Sequence, residues 1–261
     1  MKEVRNRSFT NGSVHALMTD DGYPVEVTDT FLPYYTKDAI NQKTNKLQSC
    51  QVGSRIDRWM IGVSCMSGCP VRCKFCATGK LAKWRRLTAD EIVEQVKFII
   101  GKNPDSNFAA AQEHKINYTR MGEPFMNLEA VKGAIEQIEK LYPGTHHYVS
   151  TIGIQGSDFS WIKDNITLQV SLHSLDESRR DDLIPISKKM TIEELGQIRT
   201  GSSLKTTLNM TLVDTKDFSI EKLRAAFDPE YFFIKLSPIN ENEISIANNM
   251  GPGIIHTNNI I

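Results

Sequence analysis

From Trp59 onward the chain alternates short apolar runs with stretches whose apolar residues recur at helical spacing. That alternation is the pattern of parallel βαβ units. The strand candidates are 59–65, 115–119, 146–151, 166–172, 205–213 and 231–237. Between the first two, Ile92, Val93, Val96, Ile99 and Ile100 fall on one helical face, and Thr88 with Glu91 forms a capping box ahead of them. A second helix is predicted after Asn127, with Val131, Ile135, Ile138 and Leu141 on its buried face. A third is predicted at about 156–164, Thr191 with Glu194 caps another, and Ser219 starts the last. Six strands interleaved in this way predict an α/β fold, a partial (βα)6 TIM-like barrel.

Ahead of the barrel, Val14 to Met18 and Tyr23 to Val27 flank Asp20-Asp21-Gly22, a hairpin signal. Residues 37–54 are polar and read as loop. The predicted organisation is therefore a small N-terminal β appendage over 1–57, a barrel core over 58–242 and a tail over 243–261 without a clear final helix. No run of 18 apolar residues occurs, so no membrane-spanning helix is expected, and the N-terminus lacks the apolar stretch of a signal peptide. A cytoplasmic location is the expectation.

Charge is balanced, with 31 basic and 31 acidic residues. A nucleic-acid binder usually carries a basic surplus. Locally the balance breaks. No acid stands between Asp57 and Asp90, where Arg58, Arg72, Lys74, Lys80, Lys83, Arg85 and Arg86 occur together with Trp84. The segment Arg72–Arg86 reads either as a solvated basic loop or as a contact for RNA.

Four of the five cysteines lie within residues 65–76. In a chain without a secretory signal, such clustering argues for metal rather than disulfides. Four thiols so close could bind one zinc ion, but zinc sites more often use paired C-x2-C knuckles, and only one is present. Cys69, Cys73 and Cys76 have the spacing C-x3-C-x2-C, which suits three irons of a cuboidal iron–sulfur cluster and leaves a fourth without a protein ligand. Phe75 precedes the third cysteine, giving the C-x3-C-x-Φ-C form that resembles the radical S-adenosylmethionine (SAM) superfamily. That resemblance implies a 4Fe-4S cluster and S-adenosyl-L-methionine as cofactors, and a barrel of the radical SAM type.

Further blocks follow the strands. Met121-Gly122-Glu123-Pro124 comes after the second, Tyr148-Val-Ser150-Thr151-Ile-Gly153 spans the end of the third, Gln169-Val-Ser171-Leu-His173 ends the fourth, and Lys235-Leu-Ser-Pro238-Ile239-Asn240 ends the sixth. Together with Cys76-Ala77-Thr78-Gly79-Lys80, these resemble the rRNA/tRNA adenine methyltransferase (RlmN/Cfr-like) family from about residue 50 to 242. On that resemblance Gly122 and Glu123 hold the methionine amino group of SAM. Ser150, Ser171, His173 and Asn240 would then line its ribose, adenine and carboxylate. Each also has an ordinary role open to it: a serine can cap a helix, a histidine can be a hydrogen-bonded core residue, and an asparagine can stabilise a turn.

The family's two methyl-transfer thiols have no counterpart at the expected places. The position seven before Cys69 is Gly62, and no cysteine follows Cys76. Cys65 is a candidate substitute or a fourth cluster ligand, although its offset of three from Gly62 points it to the other face of an extended strand. Cys50 stands in a polar stretch. The resulting expectation is a radical SAM enzyme fed by a low-potential donor of the flavodoxin or ferredoxin type. It would cleave SAM to a 5′-deoxyadenosyl radical for hydrogen abstraction, without the dual-cysteine methyl transfer. The alternatives are an RNA adenine methyltransferase-like enzyme using a modified route, and a non-catalytic zinc or RNA-binding protein.

Overall fold

The structure, a computed structural model, describes residues 1–33, 40–41, 46–47, 52–211, 217–237, 239 and 242–250. It divides into two units. The first comprises Met1–Cys65, Leu87–Arg120 and Glu129–His147, and the second Met66–Arg86, Met121–Leu128 and Tyr148–Ile261.

In the first unit, β1 (Lys2–Phe9), β2 (Gly12–Met18) and β3 (Pro24–Leu32) form an antiparallel meander around the predicted Asp-Gly turn. The strand β1 escaped the sequence reading because its residues are almost all exposed and show no apolar alternation. Two short strands, β4 (Ile40–Asn41) and β5 (Lys46–Leu47), pair within the stretch read as loop, most of which lies outside the described residues, as does Cys50. Strand β6 (Arg58–Gly62) pairs antiparallel with β3 and parallel with β9 (Glu113–Tyr118). The N-terminal meander is thereby continuous with the first barrel strand.

Trp59 of β6 is fully buried, its Nε1–H donating to Asp29 at 2.8 Å, and Phe108 meets it edge to face. In chain order, the short strands β7 (Met66–Ser67) and β8 (Arg85–Arg86) of the second unit are followed by α1 (Ala89–Lys102) of the first, capped reciprocally by Thr88 and Glu91 as predicted. It buries Ile92, Val96 and Ile99 completely, each contributing about 1.5–3 kcal/mol. Helix α2 (Leu128–Leu141) buries Val131, Ala134, Ile135 and Ile138. Leu141, predicted on that face, is exposed; the next residue, Tyr142, packs on Phe108 instead.

Strand β10 (His146–Thr151), which belongs to the second unit from Tyr148 on, is followed in the sheet by β11 (Ile166–Ser171), β12 (Thr206–Thr211) and β13 (Phe232–Ser237), and β11, β12 and β13 pair in parallel. Helices α3 (Glu177–Leu183), α4 (Ile192–Gly196), α5 (Ile220–Ala226) and α6 (Glu243–Ala247) complete the second unit, with Thr191/Glu194 and Ser219 capping α4 and α5 as predicted. Two expectations are corrected. Residues 156–164 form turns rather than a helix: Gly156 has φ +77°, and the Asp158 carboxylate accepts from the Ser160 backbone at 2.8 Å, a local bond that competes with helix. The tail does begin with a helix, α6, which Asn242 starts by accepting from the backbone of Ile244 and Ser245.

Candidate active site

Every described residue of the predicted cofactor site belongs to the second unit. The pairing of β7 with β8 pinches the base of a loop that carries Cys69, Cys73 and Cys76. Gly68 permits the pinch: it has φ +69°, and a Cβ there would stand 2.7 Å from the Lys83 carbonyl oxygen. The three cysteines form no disulfide and are half-buried. Cys69, Cys73 and Phe75 pack against an apolar cluster of Val71, Ile152, Leu183, Ile184, Ile239 and Met250. Burial pushes the Cys69 thiol up to about 11 and that of Cys73 well above its ordinary value, and the charges of Cys76 and Glu123 act in the same direction. Thiols raised in this way ionise only when a strong positive charge arrives, as on metal ligation. Among the described residues no group of His, Cys, Asp and Glu converges tightly enough for a single ion.

Glu123 lies in the turn after β9, behind Gly122 with φ +103°. It is 3% exposed. One carboxylate oxygen accepts from the Phe125 backbone at 3.1 Å and the other from Ile152 at 3.0 Å. Burial pushes its pKa up to about 7 in spite of these bonds and one from Thr151. No lysine or arginine among the described residues forms an ion pair with it, so the carboxylate is placed to receive a cation from outside the chain.

His173 follows β11 in a left-handed conformation, φ +61°. Its Nδ1 accepts the Thr211 N–H at 3.1 Å, so the remaining proton is on Nε2. Burial, and next the charge of Arg180, hold its pKa down to about 4. The imidazole meets the Phe75 ring edge to face at 4.7 Å. Ser150 Oγ donates to Gln169 at 3.3 Å, and Asn209 Nδ2 donates to the same oxygen at 3.4 Å, a polar row across β10, β11 and β12. Ser171, half-buried at the end of β11, pairs in register with Asn209. Asn240 lies outside the described residues. Cys65 lies in the first unit and is buried, its carbonyl accepting from Leu87.

Several site residues escaped the sequence reading. Asn242 Nδ2 donates to the Phe75 carbonyl at 3.0 Å and Asn248 Nδ2 to that of Lys74 at 2.8 Å, so the two ends of α6 hold the cysteine loop. Gln169 and Asn209 carried one faint signal, a polar residue interrupting an apolar strand. In the basic segment, Lys74 pairs with Asp182 and Lys80 with Glu243, while Arg72, Lys83, Trp84 and Arg86 remain exposed.

The chain matches the family model of the radical SAM superfamily over residues 63–225. It belongs to the radical SAM superfamily. Among its relatives, a probable dual-specificity RNA methyltransferase RlmN from Chlorobium phaeobacteroides (strain BS1) is 36% identical over 151 residues, 53% of this chain and 40% of that protein. One from Desulfitobacterium hafniense (strain Y51) is 41% identical over 148 residues, again 53% and 40%. A third, from Pseudothermotoga lettingae, is 29% identical over 223 residues, 77% of this chain and 63% of that protein. The chain thus spans less than two thirds of the length of these curated relatives. The crystal structure of a radical SAM methyltransferase from Sphaerobacter thermophilus matches with a TM-score of 0.68 at 25% identity, covering 92% of this chain and 67% of that one. The fold is α/β, of the radical SAM partial-barrel type. Membership in this superfamily of enzymes implies a 4Fe-4S cluster and SAM. The donor set fits them, since three thiols outside any disulfide share one loop and a buried carboxylate has no lysine or arginine partner among the described residues. No helix among the described residues is long and apolar enough to cross a membrane.

Proposed function

We propose that this radical SAM protein cleaves SAM reductively and uses the resulting 5′-deoxyadenosyl radical to abstract hydrogen from its substrate. The observation that carries the reading is the presence, in one unit, of three unpaired thiols and the uncompensated carboxylate of Glu123. Cys69, Cys73 and Cys76 would hold the cluster, which when bound supplies the electron for cleavage. The carboxylate of Glu123 would receive the SAM amino group, with the Gly122 backbone approaching the same group. Phe75, Ser150, Ser171, His173 and Asn240 would line the rest of the cofactor, and the Ser150–Gln169–Asn209 row offers further hydrogen bonds to its polar edges. A low-potential flavodoxin or ferredoxin would deliver the electron.

We further infer that the reaction differs from dual-cysteine methyl transfer. Gly62 occupies the position seven before Cys69, and a Cβ there would stand 2.4 Å from Thr28 Oγ1 and 3.0 Å from Arg120 Cδ. A side chain at that position would have to displace those of Thr28 and Arg120. RNA is nonetheless a candidate substrate. The relatives are named RNA methyltransferases, and Trp84, 41% exposed, stands on the cysteine loop with exposed Arg72, Lys83 and Arg86.

Anaerobic reconstitution with iron and sulfide, followed by SAM and a strong reductant, tests the reading. About four irons and four sulfides per chain with release of 5′-deoxyadenosine are expected. Bound zinc without SAM cleavage would overturn it. Methylation of adenine in RNA by the same preparation would overturn the departure from methyl transfer.

A further inference from the structure

Arg180 is the only lysine or arginine among the described residues with no exposed surface. The acids around it are engaged elsewhere. Arg179 pairs with Asp182 and Asp217, Lys189 pairs with Asp181, and Glu177 accepts from the Ile192 backbone. The guanidinium is held by two neutral carbonyls, Nη1 donating to Met190 at 2.6 Å and Nη2 to Ile152 at 2.5 Å. Its Nε–H is buried and has no partner among the described residues. A fixed cation in such surroundings is costly unless an anion answers it.

Two features show where that anion belongs. Ile152, whose carbonyl accepts from Arg180, donates its own N–H to Glu123, so one residue links the buried cation to the buried carboxylate through its two flanking peptides. Three residues beyond Arg180, the Leu183 carbonyl accepts the N–H of Lys74, the residue after Cys73, at 3.0 Å. Leu183 and Ile184 also belong to the apolar cluster on which Cys69 and Cys73 pack. Arg180 therefore stands behind the cysteine loop. Burial pushes the guanidinium pKa down, and the charges of Glu177, then Asp181, then Cys73 oppose it.

We propose that Arg180 is a positioning residue for the thiolate site, the fixed countercharge that makes a cluster bound there easier to reduce by one electron. The proposal rests on the radical SAM reading above. Three thiolates outweigh the positive charge of a cluster core, and the incoming electron adds one further negative charge, while the flavodoxin- or ferredoxin-class donor is oxidised by one electron. A guanidinium excluded from water and pinned at two carbonyls cannot move away as that charge builds, and its field is weakly screened. Because net charge around a cluster is one of the settings of its potential, the effect is directly measurable.

The test uses the full chain and its R180Q and R180K variants, reconstituted anaerobically with iron and sulfide and titrated electrochemically without SAM, reduction being followed by electron paramagnetic resonance. In R180Q the ratio of reduced to oxidised cluster at a fixed poise should fall at least tenfold, a one-electron shift of about 59 mV. In R180K, which keeps the charge but not the fork, it should stay within about threefold of the parent. A cluster-loaded R180Q with an unchanged ratio overturns the proposal. If R180Q holds no cluster, R180K decides: a tenfold fall with the charge retained overturns the proposal, and a parental ratio supports it. Failure of the parent chain itself to load a cluster would remove the radical SAM reading, and this proposal with it.

Discussion

Phe75 and His173 meet edge to face with ring centroids 4.7 Å apart, joining the cysteine loop to the end of β11. Each residue has a hydrogen-bond partner of its own: the Phe75 backbone carbonyl accepts from Asn242, and His173 Nδ1 accepts from the Thr211 backbone. Such a ring pair contributes about 0.5–1.5 kcal/mol beyond its buried area. Phe75→Ala should therefore lower stability by more than that pair term. It should also speed the loss of iron to a chelator from the reconstituted protein. Iron release at the parental rate would show that the contact does not hold the loop.

Asn242 performs two tasks with one amide. Its oxygen caps α6 and its nitrogen holds the Phe75 carbonyl, whereas Asn248 at the other end of the helix holds only Lys74 and its own helix. Asn242→Ala should cost about 1–2 kcal/mol from the cap alone. Chelator-driven iron release should be faster in this variant than in Asn248→Ala. Denaturation and iron-release measurements on the two variants side by side check the ordering.

Glu123 and His173 impose opposite pH dependences on the cluster-free protein. The carboxyl, raised from 4.5 to about 7, contributes stability that is full below pH 4.5 and lost as pH rises through about 7. The imidazole, lowered from 6.5 to about 4, contributes stability that is full above pH 6.5 and lost as pH falls through about 4. Each is worth on the order of 3 kcal/mol, and between pH 4.5 and 6.5 they oppose one another. Glu123→Gln should steepen the rise of stability with pH across that window. His173→Asn, which tolerates the left-handed backbone, should make stability fall with pH across it. Urea unfolding at about pH 5 and about pH 6.5 reads both slopes.

Gly153 follows β10 with φ +79°, and a Cβ there would stand 2.5 Å from Leu195 Cδ2. Gly153→Ala should lose about 1–2 kcal/mol to backbone strain, with a further loss from displacing Leu195. Its neighbour Ile152 bonds both Glu123 and Arg180, so SAM affinity, read by equilibrium dialysis, should fall as well. A variant as stable as the parent would show that the turn can relax.

What was legible in the sequence was local. The C-x3-C-x2-C spacing, the Thr88–Glu91 and Thr191–Glu194 capping boxes and the period-3.6 face of α1 each depend on residues within a few positions of one another, so reading along the chain suffices. Elements whose residues carry little apolar contrast, such as β1 and α6, were missed for the same reason. Only the tertiary structure decided which polar residues attend the cysteines. Asn242 meets Phe75 across 167 positions, Asn209 meets Gln169 across 40, and Arg180 meets Ile152 across 28. In the sequence Arg180 is one arginine among acids on a short polar segment. Burial, and two backbone carbonyls as its hydrogen-bond partners, turn it into a fixed charge, and those properties come from packing between distant segments.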